Sequence, residues 1–69
     1  MKSFVVREGP WLAEFQQVTE GIWEGRIYFL DEGQWCVIWS CQAAEYLKVF
    51  QELHVKMEIL VASSQHDLP

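Results

Sequence analysis

The stretch that most constrains this chain is residues 23–40, WEGRIYFLDEGQWCVIWS. Two runs rich in aromatic and β-branched residues flank Asp31-Glu32-Gly33-Gln34. Such runs suit a pleated, half-buried surface, and a Gly between them supplies the positive φ that a tight hairpin turn needs. The pattern predicts two antiparallel strands joined by a short turn.

A twelve-residue recurrence carries this reading toward the N-terminus. Glu-Gly-x-Trp occurs at Glu8-Gly9-Pro10-Trp11, at Glu20-Gly21-Ile22-Trp23 and at Glu32-Gly33-Gln34-Trp35. Twelve residues is one strand plus one tight turn, the period of a meander. Residues 2–7 then read as a first strand and 11–18 as a second. The stretch 10–21 also has helical features: Pro10 at a favoured first position, Leu12, Phe15 and Val18 at helical spacing, and Gly21 as a stop. The recurrence favours the strand.

Alternate residues of a strand point to opposite faces. Trp11, Ala13 and Phe15, then Trp23, Gly25, Ile27 and Phe29, then Trp35, Val37 and Trp39 give one nearly uncharged face, which is expected to be the core face. The other is mixed, with Leu12, Glu14, Gln16, Val18, Glu24, Arg26, Tyr28, Leu30, Cys36, Ile38 and Ser40. Ser40 reads as the N-cap of a helix from about residue 41 or 42 to 54, with Ala43, Tyr46, Leu47, Phe50 and Leu53 as its apolar stripe. Residues 55–62 alternate and read as a last strand.

The expected fold is α+β, an antiparallel β-meander with one helix packed on one face, in the order β-β-β-β-α-β. A helical 10–21 gives the ferredoxin-like order β-α-β-β-α-β instead. Residues 1–62 form a single domain in this reading, and 63–69 a frayed tail. A chain of 69 residues buries only about 60% of its unfolded surface, so its stability is marginal and a partner is welcome.

Ten acidic residues against five basic ones give a net charge of −5. Between residues 8 and 32, six acids stand against Arg26 alone. That belt repels phosphate backbones and speaks against direct nucleic-acid binding. The apolar run Phe4-Val5-Val6 is too short for a secretory signal, and no stretch reaches membrane-spanning length. The expected setting is cytoplasmic, with Cys36 and Cys41 reduced.

The chemistry-bearing residues form no recognisable constellation. Cys36, Cys41, His54 and His66 have the composition of a zinc site but not its spacing, so no metal is expected. Cys41 at a helix N-terminus would favour a thiolate, but His54 would close the same helix about 18 Å away. Glu14 and Glu24 fall on the mixed face as possible cross-strand neighbours with Arg26 nearby, which ordinary cross-strand charge pairing explains. No phosphate-binding loop or cofactor motif is present.

These readings point to a small acidic module that binds protein, regulatory or inhibitory, homodimeric and without a catalytic site. Its expected contacts are Trp11, Leu12, Trp23, Tyr28, Leu30 and Ile38. Two other functions stay open: a cofactor-independent enzyme, if two ferredoxin-like copies close a barrel around an aromatic substrate, and an acidic mimic of nucleic acid that blocks a basic groove.

Overall fold

The structure, a computed structural model, describes residues 3–66, with side chains described over 3–63. Four strands, β1 (Ser3–Glu8), β2 (Trp11–Thr19), β3 (Ile22–Asp31) and β4 (Gln34–Ala43), are followed by one helix, α1 (Tyr46–His66). The strands pair antiparallel in the order β1-β2-β3-β4, and α1 packs on one face of the sheet. This is the α+β meander with one helix that the sequence pattern predicts. The ferredoxin-like order fails because β2 is a strand, with Pro10 in the turn before it.

The twelve-residue recurrence is the footprint of three two-residue turns. In the last, both Glu32 (φ 51) and Gly33 (φ 82) adopt left-handed backbone. Two positive φ values in a two-residue loop give the turn twist that matches flanking strands, which is why Gly follows an acidic residue there.

The core lies between the sheet and α1. Trp11, Ala13 and Phe15 of β2 and Ile27 of β3 are buried against Val49, Leu53 and Met57 of α1. Rings fill the rest: Trp11 lies 4.7 Å from Phe29, and Phe15 stacks on Trp23 at 5.1 Å. The helix lies over β2, β3 and β4, and reaches β1 through the ring contact of Phe50 with Phe4 at 6.0 Å. All of β1 is exposed.

Three expectations are corrected. The helix begins at Tyr46, after Glu45, whose carbonyl accepts from the Val49 N–H, so β4 runs through Ser40 and Cys41 and Ser40 caps nothing. Its buried seam is Val49, Leu53 and Met57, continued by half-buried Leu60 and Val61; Leu47 and Phe50 are exposed. Residues 55–62 continue the helix rather than forming a strand. A return strand needs a break in the chain, and no Gly or Pro occurs between Gly33 and Pro69. The backbone stays helical to His66, and the last residues of the expected tail, 67–69, lie outside the described residues.

The two faces of β4 also depart from strict alternation. Ile27 pairs with Trp39 but Tyr28 pairs with Val37, so Ile38 is an extra residue and β4 is bulged there. One extra residue reverses side-chain parity beyond it. Trp39 keeps the core side with Cys41 and Ala43, whereas Trp35 and Val37 turn to the open face and Cys36 turns away from it. Three indoles thus belong to the core side, and Trp35 does not.

Candidate functional site

Among the described residues the open face of the sheet has no second layer, and the cross-strand register sorts its side chains into rows. One row is Arg7, Leu12, Tyr28 and Val37; the next toward the β3–β4 turn sets Leu30 opposite Trp35. The Leu30 N–H bonds the Pro10 carbonyl at 2.8 Å, which ties this end of β3 to the first turn. Leu12, Tyr28 and Leu30 are half-buried, Trp35 is 37% exposed and Val37 53% exposed. The Arg7 guanidinium stands 5.1 Å from the centre of the Trp35 ring, a cation–π contact that holds the indole against the sheet.

Toward the other end of the same face the rows become polar. Glu24 is only 6% exposed, although no layer lies above it, because its neighbours cover it. Gln42 donates to Oε2 at 2.7 Å, Gln16 donates to Oε1 at 3.2 Å, and the Arg26 Nε sits 2.7 Å from Oε1. Arg26 Nη1 in turn donates to the Tyr28 hydroxyl at 3.4 Å, and that hydroxyl donates to Glu14 Oε1 at 2.8 Å. The Gln42 hydrogen bond, with smaller help from Gln16 and Arg26, holds the Glu24 carboxyl below its usual range against the opposing effect of burial. The Tyr28 contact and the Glu24 charge raise Arg26. The Glu24 carboxylate thus has three polar partners, one of them a cation, which is what a buried carboxylate requires. Both carboxylates are engaged in this array, so the arrangement fixes side chains rather than presenting a poised acid and base.

The sequence-predicted contacts divide between the two sides. Leu12, Tyr28 and Leu30 come together on the open face, and Ile38 is exposed at the bulge beside them. Trp11 is buried in the core and Trp23 is half-buried beside Phe15 and Tyr46, so neither belongs to the open face. Trp35 and Val37 join the patch unforeseen, because only the bulge turns them outward.

The remaining candidates lie apart. Cys41 is on β4, not at a helix start; burial and the Glu52 carboxylate beside it push its thiol up, away from a reactive thiolate. Cys36 is exposed, and both cysteines are free. His54 stands in the middle of α1, 3.1 Å from Glu58 one turn on. Among the described residues no group of three or more His, Cys, Asp or Glu could hold a metal ion, and no helix is long and apolar enough to cross a membrane. No family model, curated protein or solved structure matches the chain.

Proposed function

We propose that this chain is a small acidic protein-binding module, regulatory or inhibitory in role, that acts by docking a partner protein on the open face of its sheet and not by catalysis. The observation that supports the reading most is the juxtaposition of Leu12, Tyr28, Leu30, Trp35 and Val37 on a face that no second layer covers among the described residues. An apolar patch rimmed by polar groups is the usual mark of a docking surface, and Tyr and Trp are the usual anchors. The ordered array of Glu14, Tyr28, Arg26 and Glu24 beside the patch gives it a rigid polar border. Asp31 and Glu32 at the adjoining turn add negative charge, which favours a partner with basic residues around an apolar centre. Two free cysteines suit a reducing, cytoplasmic setting.

The test is affinity capture from an extract of the source cells with three immobilised chains: wild type, Val37→Glu on the open face, and Leu47→Glu on the exposed side of α1. The wild type and Leu47→Glu should retain one specific protein that Val37→Glu does not. Retention of nothing above the bare matrix, or of the same protein by Val37→Glu, would contradict the reading.

A further inference from the structure

The open face is not the only apolar surface; the sheet also has two edges, β1 and β4. Among the described residues Gln34–Ala43, QWCVIWSCQA, is the one strand without a charged residue, in a chain of net charge −5 whose other described strands and helix all carry charges. An edge strand presents a row of unpaired N–H and C=O groups, which natural proteins commonly guard with charges or bulges. The bulge at Ile38 guards the middle of β4, while 39–43 continue in regular register. Beside this edge, Val55 (53% exposed) and Ile59 (54% exposed) of α1 line a groove with Trp39, Glu52 and Lys56.

We infer that a second copy of this chain occupies this flank, β4 against β4 in antiparallel pairing about a two-fold axis near Ser40, with Val55 and Ile59 of the two helices facing each other. The inference names one partner for the module and rests on the reading that exposed apolar surface serves protein docking. Charge selects the place: two acidic chains repel, so a contact between copies belongs on the uncharged strand. Symmetry argues for a copy, because a two-fold interface must be self-complementary. Glu52 and Lys56 in the groove meet that need, each facing its opposite on the other copy. Spacing selects this edge over β1. Helices seated over β3 would stand three strand spacings apart in the joined sheet, about 14 Å, wider than the 8–10 Å of directly packed helices but close enough for long side chains such as Glu52 and Lys56 to meet. Joining through β1 would set them about 24 Å apart and leave Phe4 and Val6 uncovered.

Light scattering on the full chain at tens of micromolar tests this. The wild type should show twice the 8.1 kDa chain mass, and Ile59→Glu should show the single mass with an unchanged circular dichroism spectrum. Lys56→Glu should weaken association at least tenfold, and adding Glu52→Lys should restore it; this pair decides the matter if Ile59→Glu fails to fold. Val6→Lys, on the other edge, should stay dimeric. A monomeric wild type, a dimer that survives both Ile59→Glu and Lys56→Glu, or a Val6→Lys monomer would overturn the inference. Each of these outcomes leaves the capture of a different protein on the open face to be judged by its own result.

Discussion

A Cβ placed on Gly25 would stand 3.1 Å from Cγ1 of Val49 and 3.4 Å from Cδ1 of Leu53. The helix therefore rests directly on the backbone of β3. Val49 is fully buried, so its methyl group has nowhere to move. Gly25→Val should destabilise the fold by about 2 kcal/mol through overpacking. Adding Val49→Ala should recover part of that loss, which a double-mutant cycle from urea unfolding would read as coupling. Additive losses would mean that the two residues are not in contact.

Glu24 makes stability depend on pH with a defined sign. Its folded pKa is held below the ordinary 4.5, so near that pH the folded chain binds fewer protons than the unfolded one. The stabilisation is complete above 4.5 and is lost as pH falls through the folded value. Glu24→Gln should flatten this acid limb, and at neutral pH it should cost about 2 kcal/mol, since hydrogen bonds to a buried charge are the stronger kind. Thermal unfolding of both chains across the acid range checks it. An acid limb of equal steepness in the variant would place the titrating group elsewhere.

The bulge at Ile38 gives the tryptophans unequal weight. Trp11→Ala removes a buried indole and should cost about 3–5 kcal/mol. Trp35→Ala removes an exposed one held by Arg7 and should cost about 1 kcal/mol. Denaturant midpoints at equal slope provide the comparison, and equal losses would return Trp35 to the core.

What the sequence reveals and what it conceals follow from this same strand. The three turns are legible because positive φ demands Gly, and β2 and β3 are legible because their alternation holds from Trp11 to Gln17 and from Trp23 to Asp31, the one slip in their pairing falling at Val18 beside the turn. Nothing in Val37-Ile38-Trp39 marks an extra residue: each member is equally suited to either face, so strict alternation puts Trp35 inside. The helix is mistaken at both ends for related reasons. Ser40 is as acceptable in a strand as at a cap, and Val55, Met57, Ile59 and Val61 satisfy period two while Leu53, Met57, Leu60 and Val61 satisfy period 3.6. Three of the five open-face patch residues, Leu12, Tyr28 and Leu30, can be read from parity. The other two, Trp35 and Val37, depend on the bulge, and the burial of Glu24 depends on Gln16 and Gln42 meeting over it from two neighbouring strands.

The two thiols should differ in reactivity. Cys36 is exposed on its strand, whereas burial and Glu52 keep the Cys41 thiol protonated. An alkylating reagent at neutral pH should modify Cys36 first and Cys41 at least tenfold more slowly, as followed by peptide mass. Equal rates would mean that β4 does not lie beneath α1 at Cys41.

The open face as a protein-docking surface is the centre of this account, and the affinity of the captured partner for three purified chains measures it most directly. Val37→Glu should weaken binding at least tenfold, as expected for a charge set into an apolar contact, while Leu47→Glu should bind like the wild type. Equal affinity of wild type and Val37→Glu, or loss confined to Leu47→Glu, would contradict it.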